Sequence, residues 1–423
     1  MPNTQSKEIR VAFEDILEGF QDALVLSSAV SIYKTDPKSI ERSNNRIWRP
    51  MPYVSQSFAG TDMTANFKDS VQLSVPANIN IARSSPWVLS AAELRDELVS
   101  GQLGKSAKQK IASDINLSVL AVASNQGTLV VKRPSAAAGF ADVAQSDAMM
   151  NEIGVQQEGR QHAFSSRDYN GMADNLAQRT LYPKGRSEDA YSRAYVGNIA
   201  SFDTYKLDYA QRLLARAGVT VTVNGANQFY VPRSTSTAST FETDNVDNRY
   251  QNINITVASG TVRVGDAFVF AGVNSCHLIT KLDTGQPKTY RVIGIVSGGG
   301  GTGTITISPP IISGQGATDA ELAYKNCTAT PASGAAITFQ NTADANINPF
   351  WLKDAIEILP GRYEVPTDAG AEVMRGSTDQ GIELVMTKQF DINTWRTKFR
   401  IDALYGVVNK QPEMTGIMLF AQP

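Results

Sequence analysis

The chain holds two histidines, His162 and His277, and two cysteines, Cys276 and Cys327, and these limit its side-chain chemistry. A Ser-His-Asp or Cys-His nucleophile needs one of the imidazoles as its base. Cys276 and His277 are adjacent, so on a strand they point to opposite faces and do not suit a nucleophile–base pair. With Cys327 they supply at most three zinc ligands, without the paired spacing of a zinc site. Small buried thiols and a surface histidine are expected instead. The glycine run at 298–303 invites a phosphate-loop reading. It lacks the following Lys and Ser/Thr, and it sits between two strands rather than opening a helix. A hairpin tip explains it better. Asp and Glu are scattered, and no pair stands out as a general acid and base. The expectation is no catalytic residue, no cofactor-binding residue, no metal ligand and no cofactor, hence not an enzyme.

Composition narrows the class. At 423 residues with 42% hydrophobic content, the chain can build two or three cores. Lys plus Arg total 39 against 41 acids, a net charge of -2, which argues against a tight grip on phosphates. Two thiols in a chain this long point to a reduced, cytosolic protein. No apolar run reaches about 18 residues, so no membrane span is expected. The polar start MPNTQSKEIR has no signal-peptide core.

The elements that must carry any function come next. Residues 6–28 read as an amphipathic helix, with Ile9, Phe13, Ile16, Leu17, Phe20 and Leu24 at three- and four-residue spacing. Glu14, Glu18 and Asp22 line another face with Asp15 beside them: a solvated stripe, or a docking strip for a basic partner helix. Residues 34–45 read as polar and extended. The stretch 46–83 is a two-armed β excursion with Val71, Leu73 and Val75 alternating on the way back. Arms with so few apolar residues must lie on something else, such as another subunit. Ser90 and Glu93 form a capping box opening a short helix to about 100, which Gly101 and Gly104 break. A longer helix follows over 105–126, striped by Ile111, Ile115, Val119 and Val122, with Gly127 at C′. Further helices are expected near 187–196 and 204–216.

From 218 to 346 the chain turns β-rich. The runs VTVTVN, NQFYVP, NINITV, DAFVFAGV, KTYRVIGIVS and GTITIS are six strand candidates for a small antiparallel barrel. Ser234 to Asp247 is a long exposed loop within it. The last strands alternate, with Trp395, Thr397, Phe399 and Ile401 on one face and Arg396, Lys398 and Arg400 on the other. The layout is α+β, interrupted by a β insertion.

Several segments, in order and spanning nearly the whole chain, resemble the coat proteins of short-tailed phages of the Lederberg group. They are RSNNRIWRP at 42–50, AELRDE at 92–97, the helix at 106–131, the stretch NVDNRYQNINITVASGTVRVGDAFVFAGV at 245–273, FWLKDAI at 350–356, and 399–417 with its LYGVV. The resemblance implies a Hong Kong 97-type capsid fold with an inserted antiparallel β-barrel domain. It implies an N-arm at 1–45 and an E-loop at 46–85. It also implies a peripheral domain with a spine helix at 86–132 and 396–423, an axial domain at 133–219 and 347–395, and an insertion at 220–346. The implied function is a major capsid protein that self-assembles into an icosahedral shell around double-stranded DNA, through a scaffold-guided procapsid that matures and expands. Implied partners are the chain itself as hexamers and pentamers, a scaffolding protein, a portal protein and non-specifically packaged DNA, with no membrane. The implied place is the virion, assembled in the host cytoplasm. Scaffold-contact candidates are Glu14, Asp15, Glu18 and Asp22. Inter-subunit candidates are Arg46, Arg49, Asp62, Lys68 and Asp69 on the excursion, and Glu242, Asp244 and Asp247 on the long loop. Some relatives in the wider fold group cross-link an E-loop lysine, and Lys68 is the sole candidate here, although this branch is not expected to cross-link. The rival reading is a β-rich carbohydrate-binding or tail-fibre-like virion protein.

Overall fold

The computed structural model describes residues 25–33, 45–52, 56–57, 59–64, 67, 70–90, 92–93, 97–178, 198–297, 301–365, 370–378 and 381–423. Two compact units emerge. One comprises Met1–Ile47, Pro76–Val122 and Ile356–Val408; the other comprises Trp48–Val75, Ala123–Ala355 and Asn409–Pro423.

In the first unit, a six-stranded sheet is built on the long strand Arg396–Asn409. Its early residues pair antiparallel with Ile81–Ser90 on one side and Glu383–Asp391 on the other. Thr397, Phe399 and Ile401 are buried while Arg396, Lys398 and Arg400 are exposed, the period-two pattern of a sheet with one wet face. Phe399 sits opposite Trp87 and their rings stack with centroids 5.5 Å apart. Trp395, expected on the buried face, instead lies in the preceding turn at positive φ and is exposed.

The helix of this unit corrects an expectation. Gly101 and Gly104 do not break it: Glu97–Gln126 is one helix of 30 residues. Each helical glycine costs about 1 kcal/mol against alanine, which weakens a helix of this length without ending it. Ile111, Ile115 and Val119 are buried as expected, but the stripe passes on through Ala123 while Val122 is only half-buried. The Ser90–Glu93 box forms: the amide and hydroxyl of Ser90 donate to the Glu93 carboxylate at 2.8 and 2.9 Å, and the Glu93 amide donates back to Ser90 Oγ at 3.3 Å. Ser118 Oγ and Tyr405 Oη, 2.9 Å apart, tie the helix to the sheet.

The second unit holds a mixed six-stranded sheet in the order Leu129–Lys132, Thr415–Leu419, Asn348–Leu352, Arg160–Ser165, Phe202–Leu207, Asn198–Ile199. Helices Phe140–Ile153 and Ser166–Gln178, not singled out in the sequence, bury Val143, Met150, Tyr169 and Met172 against Phe164, Phe202 and Phe350. The helix expected over 204–216 is instead the strand Phe202–Leu207, parallel to Arg160–Ser165, and the short strand Arg212–Leu213. Its aromatic and β-branched residues favour a pleated, half-buried site over a helix. The helix expected at 187–196, most of the one at 6–28, and nearly all of the extended stretch at 34–45 lie outside the described residues; Val25–Ser28 is helical.

Gly127 is not a left-handed cap. A Cβ there would sit 2.9 Å from the Ala123 carbonyl and 3.1 Å from the Gly416 amide, so its role is close backbone approach.

The insertion is a closed six-stranded barrel, in the order Thr220–Val223, Gln251–Ser259, Gly301–Ser308, Asp283–Ser297, Ala267–Cys276, Ala336–Phe339. Five of the six strand candidates are barrel strands. The sixth, NQFYVP, makes no ladder: Tyr230 donates one amide bond to Ile311 O and its hydroxyl reaches Asn248. Proline cannot donate to a ladder, and Asn227 has a positive φ of 58°. Ala336–Phe339 closes the barrel instead, pairing with both Thr220–Val223 and Ala267–Cys276. Alternate residues fill the interior, among them Val221, Ile253, Ile255, Val292, Ile305 and Ile337. At their centre Phe270 lies 5.2 Å from Phe268 and 4.9 Å from Tyr290, both edge to face.

Candidate assembly surfaces

Two segments are candidates for contact between copies. The first begins with the ribbon of Arg46–Pro50 and Ser74–Asn78. Its arms are held by the Met51 amide on Leu73 O at 2.9 Å and by Gln72 Nε2 on Met51 O at 2.6 Å. Leu73 and Val75 alternate into the interior as expected, at 1% and 0% exposed. Beyond this base the described residues are mostly polar or small. Asp62 closes a local turn, accepting from the Thr64 hydroxyl at 2.6 Å and the Thr64 amide at 3.0 Å, and these bonds hold its carboxyl below the usual range. Arg46 is exposed and Arg49 half-buried. Lys68 and Asp69 lie outside the described residues, as do Glu14, Asp15, Glu18 and Asp22.

The second is the hairpin of Thr235–Thr237 and Thr243–Asn245, every residue of which is exposed. This is the long exposed loop read from the sequence. Glu242 and Asp244 project from it. Asp247, at its root, is engaged within the chain: Arg249 binds its two carboxylate oxygens at 2.9 and 2.7 Å and reaches Asn409 O at 2.9 Å.

Each segment also presents an aromatic ring that sequence reasoning passed over. Phe67 is 86% and Phe241 89% exposed. A bulky apolar residue in an otherwise polar loop was the available signal. Exposed aromatics are favoured anchors of protein interfaces.

The barrel is fastened to the sheet of its unit by groups that sequence reasoning also missed. Ala267 packs with Val130, Ile347, Ile417 and Leu419. On strand Asp283–Ser297, Thr289 Oγ1 donates to Thr128 O at 2.7 Å, and Arg291 donates to Gly127 O at 3.3 Å and Gly265 O at 3.0 Å. Arg291 is fully buried, which pushes its pKa down to about 10. Lys288, also buried, forms an ion pair with Glu413. Beside them Arg216 and Asp266 pair at 2.8 Å, and Asn341 Nδ2 donates to the same carboxylate at 3.1 Å.

The groups that set the limits of chemistry take structural places. Cys276 and Cys327 are buried free thiols, and burial pushes Cys327 up to about 12, far from the thiolate a nucleophile needs. His277 is half-buried, its Nδ1 accepting from the amides of Ile279 and Thr280 at 3.2 Å each. His162, for which the sequence set no expectation, is fully buried, stacked on Phe164 with centroids 3.8 Å apart. The glycine run leads into the strand Gly301–Ser308, whose hairpin partner is Asp283–Ser297; residues 298–300 lie outside the described residues. Among the described residues no group of three or more His, Cys, Asp or Glu stands ready for a metal ion, and no helix is long and apolar enough to cross a membrane.

Comparison with known proteins places this architecture. The family model of the P22 coat protein, gene protein 5, matches residues 1–421. Among solved structures, the I-domain of the CUS-3 coat protein is 39% identical, covering 30% of this chain and 98% of its own, with a TM-score of 0.23. The head of Helicobacter pylori bacteriophage KHP40 is 10% identical, covering 93% of this chain and 88% of its own, with a TM-score of 0.44. Mycobacterium phage Che8 is 10% identical, covering 93% and 90%, with a TM-score of 0.43. The whole-chain family match decides the assignment. The chain belongs to the P22 coat protein family: it is a bacteriophage major capsid protein that forms the shell of the virion, with a Hong Kong 97-type fold carrying an inserted β-barrel.

Proposed function

We propose that this subunit assembles as hexamers and pentamers into an icosahedral procapsid, guided by a scaffolding protein. The procapsid takes its portal protein and then expands around packaged double-stranded DNA. Assembly takes place in the host cytoplasm. The observation that carries the reading is the pair of segments, 46–75 and 234–247, in a chain whose family builds shells. Leu73 and Val75 are buried at the base of the first, while the rings of Phe67 and Phe241 and every residue of 235–245 are exposed, and large obligate interfaces bury on the order of 2,000–5,000 Å². A near-neutral net charge of -2 suits a shell that faces DNA without gripping it.

In this reading 1–45 is the N-arm and 46–85 the loop over a neighbouring copy. The peripheral domain is 86–132 with 396–423, the axial domain 133–219 with 347–395, and the insertion 220–346. Glu14, Asp15, Glu18 and Asp22 meet the basic scaffold. Arg46, Arg49, Asp62, Lys68, Asp69, Glu242, Asp244 and Asp247 lie at copy-to-copy contacts. Expansion needs hinged arms between two states. The test is negative-stain microscopy of the chain co-expressed with its scaffold. Closed shells are expected; a protein that stays monomeric under all such conditions would refute the proposal.

A further inference from the structure

We propose that Tyr324, in the inserted domain, positions the returning arm of the 46–75 loop and so sets how that loop is presented when copies assemble. The inference rests on the shell-forming role and not on the scaffold. Tyr324 ends the short helix Asp319–Tyr324. That helix is fixed by a reciprocal cap in which the Glu321 amide donates to Thr318 Oγ1 at 3.3 Å and the Thr318 amide donates to the buried Glu321 carboxylate at 3.5 Å, which also accepts from the Gly316 amide at 3.3 Å. From this platform the Tyr324 hydroxyl donates to Val71 O at 3.1 Å and accepts from the Leu73 amide at 3.4 Å.

A carbonyl and the amide two residues on are the pair that one residue of a parallel neighbouring strand would bridge. Here a side chain does the bridging. The next residue, Ser74, makes a parallel bridge with Asp247, so the barrel side takes over from the hydroxyl without a gap. Gln56 Nε2 adds a bond to Asp319 O at 3.4 Å. Asp247 is also the residue clamped by Arg249, which reaches Asn409 O. Two short stretches of the inserted domain, 319–324 and 247–249, thus hold the arm, and the second also holds the root of the exposed hairpin and the start of the C-terminal segment.

A phenol is suited to the task because its oxygen both donates and accepts. Tyr324→Phe keeps the ring and removes both bonds. The loop base would lose its fixed angle, while the barrel interior, which Tyr324 does not line, would be untouched.

The test uses the full chain. Hydrogen exchange followed by mass spectrometry on free Tyr324→Phe subunits should show about tenfold faster exchange of the Leu73 amide, the scale of one net hydrogen bond. Peptides from 251–259 should keep their protection, which shows that the barrel is folded. Under conditions in which the unmodified chain forms closed shells, the variant should give a broader spread of shell diameters by electron microscopy. Unchanged exchange at Leu73 would overturn the contact. Faster exchange with an unchanged diameter distribution would overturn its role in assembly. An unmodified chain that forms no shells would overturn the shell-forming role itself, and the exchange arm would still decide the contact.

Discussion

Removing the carboxylate of Glu413 should be among the most damaging single changes outside the apolar cores. The Lys288 side chain is 2% exposed, and Glu413, whose side chain is 16% exposed, neutralises it. Glu413→Ala would leave an ammonium buried where the barrel meets the sheet of its unit. Breaking such a pair from one side costs about 3–5 kcal/mol, because the remaining charge has lost its solvent and its partner. Replacing both groups with apolar side chains of similar size, Lys288→Met with Glu413→Leu, should be close to neutral for the same reason. At urea slopes of about 2–3 kcal/mol/M, a loss of about 4 kcal/mol lowers the unfolding midpoint by about 1.3–2 M. The assay is urea unfolding of the free subunit at neutral pH, read by tryptophan fluorescence, in which the fully buried Trp351 reports on this unit. The double variant should return most of the loss. A single variant that shifts the midpoint by less than about 0.3 M, or a double variant as damaged as the single one, would refute a buried polar fastening between barrel and sheet.

His162, held neutral by burial with its pKa pushed down to about 3, should make the fold acid-sensitive. An unfolded histidine binds a proton below about 6.5 and the folded one does not. The stabilisation is therefore complete above that pH and falls as pH drops toward 3, by at most about 1.4 kcal/mol per pH unit. Stability measured between pH 6.5 and 5 should fall more steeply in the natural chain than in His162→Leu; equal slopes would argue against it. Gly416→Ala should destabilise by about 1–3 kcal/mol, since the added Cβ would lie 2.3 Å from the Phe350 ring and 2.7 Å from Leu129 Cβ; an unshifted urea midpoint would show that the strands can part. Charge reversal of Glu14, Glu18 and Asp22 should weaken scaffold uptake into shells and make it less salt-sensitive; unchanged uptake would mark these acids as merely solvated.

Where neighbours in sequence decide a structure, the chain was legible. Period-two runs such as NINITV and DAFVFAGV gave barrel strands because the buried face of a strand writes its pattern locally. The Ser90–Glu93 box and the exposed loop at 234–247 followed from residues a few places apart. Where distant groups decide, the pattern misled or was silent. Gly101 and Gly104 looked like breaks, but a glycine weakens a helix locally without ending it. The strand Ala336–Phe339 was too short to show a period, its only inward residues being Ile337 and Phe339. NQFYVP showed alternation but spends its hydrogen bonds on Ile311, Asn248 and, through Gln228, Asn254 rather than on a ladder. Lys288 and Arg291 read as ordinary polar positions on a strand. Their partners, Glu413 and Gly127, lie 125 and 164 residues away, and nothing near them in sequence announced that both would be buried. The same holds for Tyr324 and the arm it meets at Val71.

Solvent protection reads most directly whether the subunit completes its contacts on identical neighbours. Hydrogen exchange over 56–64 and 235–245 should be compared between free subunits and closed shells, with the barrel strand Gln251–Ser259 as internal reference. Both segments should gain protection on assembly while the reference stays constant. Segments as open to solvent in the shell as in the free subunit would contradict the account.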